Sequence, residues 1–233
     1  MAIFTAAWAA LGGAHLAWGQ CPAGLVQFRP EDLPGVVLQG AFGYAPVQGN
    51  DGRNIYGAKS LQAGAGMVLT SLPAERCLPK DRIPHVRWLL NFNFLYSGHN
   101  ANPQLAKTAF ASNPLYPALL AATNAKADYY AGAIEPTIRF VPGPTFGAYA
   151  FAGVGWMRRT IDFTGPGTEG PLQQAGNVQI FSQAADSASC DAGLGVDWAF
   201  HRRWRLFVEA RVIQGLAVNG KSRLIPLEFG IRW

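Results

Sequence analysis

Apolar and polar side chains alternate with a period of two along most of this chain. In the last ten residues, LIPLEFGIRW (224–233), one parity is wholly apolar: Ile225, Leu227, Phe229, Ile231 and Trp233. The other parity carries Glu228 and Arg232. This period predicts a β-strand with two different faces. A soluble sandwich would turn the charged face to solvent, whereas a membrane barrel would turn it into the lumen. This strand by itself is compatible with both the soluble sandwich and the membrane barrel.

Eight segments show strand-like patterns: 35–45, 59–70, 85–96, 130–140, 146–163, 190–200, 205–213 and 224–233. The alternation leaves the facing of the fifth undecided. An even number of strands of about 9–11 residues suits a bacterial outer-membrane barrel. The connections after the second, fourth and sixth strands are short to middling in length, whereas the third and fifth strands are followed by long stretches, 98–128 and one of similar length from 164. We therefore predict an all-β fold, a closed antiparallel eight-stranded transmembrane β-barrel with short periplasmic turns and longer extracellular loops.

The charged residues favour the membrane barrel over the sandwich. The polar parity carries four basic and four acidic groups, which we predict to form an interior charge network: Arg87, Glu135, Arg139, Asp197, Glu209, Arg211, Glu228 and Arg232. Such a balance is needed inside a barrel, because buried charges must be paired. The apolar parity has no charge in mid-strand. It has aromatic residues near the strand ends, as an aromatic girdle requires: Trp88, Tyr96, Tyr130, Trp198 and Trp233.

Composition agrees with this interpretation. Charged residues make up 14% of the 233 residues, aromatic residues 12%, and there are 27 glycines. The charged share is well below the roughly 25% of a typical soluble domain. The net charge of +5 comes without a dense run of Lys and Arg, so nucleic-acid binding is not expected.

The N-terminus predicts export. Residues 1–19 are apolar and end in Ala17-Trp18-Gly19, which is typical of a secretory signal peptide cut after Gly19. No Lys or Arg precedes the apolar part, so a buried N-terminal helix is the alternative. We expect residues 20–34 to form a periplasmic segment and 35–233 the barrel, without a lipid anchor on Cys21.

Several stretches resemble small bacterial outer-membrane β-barrels of the OmpA/OmpX/OmpW type: TFGAYAFAGVGW (145–156), AGLGVDWAF (192–200), RLFVEARV (205–212) and IPLEFGIRW (225–233). The resemblance implies a single barrel in the outer membrane of a Gram-negative-type bacterium. The terminal alternation resembles the family's assembly signal, here Phe229, Ile231 and Trp233, which the outer-membrane assembly machinery recognises. The implied partners are that machinery, outer-membrane lipids and lipopolysaccharide, and we expect a monomer.

The sequence offers little catalytic chemistry. SGHNANP (97–103) places Ser97 near His99 but without a neighbouring acid, and no two His stand at metal-ligand spacing. We therefore expect no enzyme, no cofactor and no metal.

Cys21 and Cys77 both fall on the predicted periplasmic side, where a disulfide is possible. Cys190 is expected at the start of the sixth strand, on the far side of the bilayer.

Two functions remain from the sequence. Eight strands enclose an interior that side chains fill, so open diffusion does not fit. The first possibility is a structural or surface-interaction protein that displays loops, the most distinctive being residues 102–129. The alternative is a narrow channel or carrier for small apolar molecules, in which that segment would gate the entrance.

Overall fold

The structure is a computed structural model that describes residues 25–27, 36–49, 55–69, 77–79, 86–103, 123–141, 145–166, 177–201, 204–216 and 222–233. Among them there is no helix of the length and apolar character needed to cross a membrane.

Eight strands of the described chain form one closed antiparallel ring. They are β1 Val36–Tyr44, β2 Ile55–Val68, β3 Val86–Ala101, β4 Asn124–Phe140, β5 Phe146–Pro166, β6 Asn177–His201, β7 Trp204–Gly215 and β8 Leu227–Arg232. Each strand pairs with the next in sequence, and β8 pairs with both β7 and β1. The predicted all-β, eight-stranded closed barrel is confirmed.

The seam between β8 and β1 closes the ring. Arg232 lies opposite Gln39. Trp233 then exchanges two backbone hydrogen bonds with Leu38, of 2.7 and 2.8 Å. Beyond β1 and β8, the short strands Val47–Gly49 and Ser222–Leu224 continue the pairing. Pro46 and Pro226 separate these extensions from β1 and β8, because proline has no amide hydrogen for the ladder.

Each strand has an apolar outward face and a polar inward face, as β3 illustrates. Trp88, Phe92 and Phe94 are about half exposed, whereas Arg87 and Asn91 are buried. Aromatic residues mark both edges of the exterior band. At the short-turn rim, Trp204 stacks on Trp233 with ring centroids 5.7 Å apart. Towards the long-loop rim lies the outer girdle, which we define as Tyr44, Tyr96, Tyr130 and Trp156.

Beyond the outer girdle the outward face becomes polar, with Lys59, Lys126, Asp128, Arg158 and Asp186. Several predicted strand bounds were wrong for this reason, because the strands continue past the point where the apolar alternation ends.

The connections on this rim change accordingly. β4 begins at Asn124 instead of 130, and β6 begins at Asn177 instead of 190. The predicted loops 98–128 and 164–189 are therefore shorter. Cys190 lies within β6, where it is an exposed free thiol, and does not begin the strand.

Besides the barrel, the chain contains a second, smaller unit. Its described part is an antiparallel pair, Leu25–Gln27 with Cys77–Pro79, in which Gln27 lies opposite Cys77. The sequence did not indicate this pair. The proposed signal peptide and Cys21 lie outside the described residues, so the Cys21–Cys77 disulfide stays a prediction.

Candidate functional site

The barrel lumen holds the ionisable residues singled out in the sequence. All eight predicted members of the interior network point inward, and each is at most 6% exposed: Arg87, Glu135, Arg139, Asp197, Glu209, Arg211, Glu228 and Arg232. They are joined by Asp191 and Arg205, which are buried as well. Eight of these ten residues lie in two groups of direct ion pairs.

The first group, which we call the Asp197 cluster, lies near the short-turn rim. Asp197 accepts hydrogen bonds from Arg139 at 2.9 Å and from Arg205 at 2.8 Å, and Arg232 lies 3.4 Å away. Three guanidinium groups from β4, β7 and β8 thus share one carboxylate from β6. The side-chain oxygen of Gln39 on β1 accepts two further hydrogen bonds from Arg232, at 2.8 and 3.0 Å.

Aromatic rings complete the surroundings of Arg232. Its guanidinium lies 4.7 Å from the ring centre of Tyr149 and 5.0 Å from that of Phe207. A cation over a ring face is stabilised by the ring quadrupole, more so where water is excluded. The Tyr149 ring needs Gly195 beside it, because a Cβ at that position would come within 2.4 Å of the ring. The glycines of AGLGVDW therefore make room for lumen side chains.

The second group, which we call the Arg211 cluster, lies farther along the lumen. Arg211 contacts Glu135 and Glu209 at 2.6 Å and Asp191 at 3.2 Å. Its guanidinium also lies 4.7 Å from the ring centre of Phe151. One cation is therefore shared by three carboxylates that come from β4, β6 and β7.

Neighbouring polar groups extend this second cluster. Tyr149 donates a 3.0 Å hydrogen bond to Glu209, and Asn93 hydrogen-bonds to Glu135. With its amide turned, Gln62 accepts from Arg211 at 2.8 Å and donates to Glu228 at 3.1 Å. Residues of seven strands, β2 to β8, thus meet across the lumen in one network.

The lumen charges are balanced in total but separated along the barrel axis. The Asp197 cluster holds three arginines and one carboxylate, and the Arg211 cluster holds one arginine and three carboxylates.

The sequence analysis did not identify Asp191 and Arg205, because they lie outside the most strongly apolar part of their strands. The alternation along each strand would have identified them. Asp191 lies on the same strand face as Asp197, and Arg205 lies on the same strand face as Glu209.

An apolar layer fills the lumen on the long-loop side of the Arg211 cluster. It consists of Val47, Ile55, Leu95, Ala101, Ala125, Ala127, Tyr129, Ala131, Met157, Ile161, Phe163, Ile213 and Leu224, all buried. Tyr129 and Phe163 are its largest fully buried members. Since Met157, Ile161 and Phe163 come from β5, the structure settles the facing that the sequence left undecided.

Comparison with known proteins bears on the fold. No protein-family profile and no curated protein matches the sequence. Among solved structures, Neisserial surface protein A is similar with a TM-score of 0.50 at 15% identity, over 84% of this chain and 95% of that one. The chain has the fold of the small eight-stranded outer-membrane β-barrels.

Two further structures are more distant. The attachment invasion locus protein Ail of Yersinia pestis gives a TM-score of 0.46 at 10% identity, over 86% of this chain and 99% of that one. The outer membrane enzyme PagL gives 0.39 at 10% identity, over 84% and 97%. An outer-membrane barrel also accounts for the apolar exterior band, which needs lipid contact, and for the charged interior.

The barrel brings Ser97 and His99 together inside β3. Ser97 Oγ lies 2.7 Å from His99 Nε2, and His99 Nδ1 lies 2.5 Å from the Gly57 carbonyl oxygen. His99 lies beyond the outer girdle, where burial lowers the pKa of its imidazole below the usual range. Nδ1 of the neutral ring then donates to Gly57, and Nε2 accepts from Ser97.

The third group in contact with the Ser97–His99 pair is the backbone carbonyl of Gly57 and not a carboxylate. The nearby Asp128 faces outward, where it accepts a 2.9 Å hydrogen bond from Tyr96. Gly57 has a φ of +73° at an irregularity in β2, so His99 holds the strand where its pairing with β3 shifts. Among the described residues no group of His, Cys, Asp and Glu is arranged to hold a metal ion.

Proposed function

We propose that the protein is a closed outer-membrane scaffold with a structural or surface-interaction role, which acts through its long-loop rim and not through its lumen. The observation that carries this proposal is the pair of ion clusters that cross the lumen. Each guanidinium and carboxylate is held by partners on other strands, so a solute would have to break several buried ion pairs to pass. Breaking one such pair by removing a partner costs about 3–5 kcal/mol.

A catalytic role has little support in this geometry. Ser97 is fully buried and its neighbour His99 is 5% exposed, so neither side chain presents an accessible surface to a substrate. We therefore propose that their hydrogen bond is structural.

Conductance in planar lipid bilayers tests the closed lumen. We expect no sustained current steps from the purified full chain. A variant with Arg211→Ala and Phe151→Ala, which removes the cation and the ring beneath it, serves as the opened comparison. Steady, ion-selective steps from the unmodified protein would contradict the scaffold proposal.

The surface role requires a second measurement. Intact cells that display the protein are treated with a membrane-impermeant crosslinker and compared with cells carrying a variant whose 104–122 segment is replaced by a short Gly-Ser linker. We expect a crosslinked macromolecule that disappears in the linker variant. Identical crosslinking in both variants would contradict a role for this loop.

A carrier for small apolar molecules is the second candidate, because the outer half of the lumen is apolar. The large side chains Tyr129 and Phe163 would have to move aside to admit a ligand. An apolar fluorescent dye whose emission rises in dry surroundings distinguishes the two proposals. Saturable binding that Phe163→Ala changes would favour the carrier, and its absence favours the scaffold.

A further inference from the structure

A groove on the outward face lies just beyond the outer girdle, across β1 to β4. Its volume is about 580 Å³, within the range of small-ligand sites. Gly57 and Gly98 form part of its floor, and Phe42 and Leu61 border it on the membrane side. The groove therefore has an apolar edge towards the bilayer and a polar part above it.

Tyr96 and Asp128 form a fixed bridge at one side of the groove. The Tyr96 hydroxyl crosses Gly98 to reach Asp128, and a Cβ on Gly98 would come within 3.0 Å of that hydroxyl. The bridge occupies one lone pair of the carboxylate and holds it against the wall of the barrel. Asp162, which lies opposite Lys126 on β5, has a partner of its own.

Two lysines lie at the polar part of the groove without an anionic partner among the described residues. Lys59 on β2 and Lys126 on β4 both line the groove and are exposed. They are separated laterally by β3, a distance of about 10 Å, and are offset by two residues along the strands, because Lys59 lies opposite Gly98 and Lys126 opposite Asn100. Flexible lysine side chains can converge on one anion across this distance, above Gly98, which has no side chain in the way. Asn100 lies directly opposite Lys126 and adds an amide donor.

The depth of the groove indicates the kind of anion. Tyr and Trp girdles lie at the level of the lipid headgroups, and the groove begins directly above Tyr96. Phe42 and Leu61 continue its lower edge into the apolar band, where acyl chains pack. A ligand that fits both parts has a phosphate group at the top and hydrocarbon below.

We propose that this groove binds the phosphorylated headgroup of an anionic lipid in the outer leaflet. Lys59 and Lys126 hold the phosphate through charge-assisted hydrogen bonds, Asn100 donates an additional one, and the first acyl chain lies over Leu61 and Phe42. The site is on the barrel wall, so it is independent of any partner of the long-loop rim.

Native mass spectrometry of the purified full chain in non-ionic detergent tests this site, with diphosphorylated lipid A as the probe. The variants are Lys59→Ala, Lys126→Ala, their combination, and the pair Lys59→Arg with Lys126→Arg. Arg223→Ala is the matched control, because Arg223 is an exposed outward cation opposite Gln214 and Gln48 that does not line the groove. Heat-modifiable gel mobility verifies that every variant is folded.

We expect the apparent affinity for lipid A to fall about fivefold for each lysine removed, and more steeply at low ionic strength. The arginine pair and Arg223→Ala should bind as the unmodified protein does. Equal binding by the double alanine variant, or an equal loss in Arg223→Ala, would overturn the site. Phosphatidylcholine has a phosphate but no net charge, so binding as tight as that of lipid A would overturn the recognition of an anionic headgroup. Competition by inorganic phosphate at the same concentration as lipid A would assign the site to a free anion and overturn the lipid.

Discussion

Replacing Arg211 with methionine tests whether the Arg211 cluster stabilises the barrel. The substitution keeps most of the side-chain volume but removes the only cation in direct contact with Glu135, Asp191 and Glu209 among the described residues. It also removes the contact with the Phe151 ring. Removing one partner of a buried pair costs about 3–5 kcal/mol, because the remaining charge loses its compensation. The three contacts share one guanidinium, so their separate energies do not add. We therefore expect the free energy of unfolding to fall by about 3–5 kcal/mol.

The assay is denaturant unfolding of the purified protein in phospholipid vesicles, followed by tryptophan fluorescence. Arg223→Met is the matched control. Arg223 is exposed and donates one 2.9 Å hydrogen bond to Gln214, so its loss should cost less than about 1 kcal/mol. If Arg211→Met does not assemble, Arg211→Lys keeps the charge without the forked geometry and should give an intermediate loss. Adding Glu209→Gln to Arg211→Met should recover part of the stability. An Arg211→Met barrel within about 0.5 kcal/mol of the unmodified protein would refute the reasoning.

Three further predictions concern assembly, membrane residence and the cysteines. Replacing Phe229 and Trp233 with Asp puts charge on the lipid face, which destabilises the barrel more the deeper it lies, so the heat-resistant assembled form should be lost; normal assembly would contradict the outward facing. The unmodified protein should stay in the outer-membrane fraction after carbonate or urea extraction and migrate differently on gels when unboiled, whereas monodisperse protein obtained without detergent would contradict the membrane barrel. Peptide mapping under non-reducing conditions should find Cys190 free and a crosslink, if any, between Cys21 and Cys77. A Cys77–Cys190 crosslink within one molecule would contradict the strand order.

The C-terminal strand shows how much a local pattern fixes. Phe229 and Trp233 face outward, and Glu228 and Arg232 face inward, because successive side chains of a strand must point to opposite sides. The same rule set the facing of seven strands, and the even count and segment lengths then restricted the fold to a closed barrel.

Local alternation did not determine the facing of β5. Tyr149, Phe151 and Met157 are apolar or aromatic and nonetheless point into the lumen. In a barrel this narrow, large rings are needed inside to cover the arginines. A parity rule that assigns every apolar side chain to lipid therefore fails at this strand. The strand ends were missed for a related reason, since the apolar alternation stops at the bilayer surface while the backbone hydrogen bonding continues.

The sequence by itself determined the fold, the two faces of most strands and eight of the ionisable residues inside. Those features depend on spacing along one strand. Only the tertiary structure decided which charges meet, that the lumen separates into an Asp197 cluster and an Arg211 cluster, and that Lys59 and Lys126 border one groove. These depend on the register between strands, which brings residues such as Glu135 and Arg211 to 2.6 Å across 76 positions of the chain. Register is set by the closed ring of hydrogen bonds as a whole, so no single segment carries it.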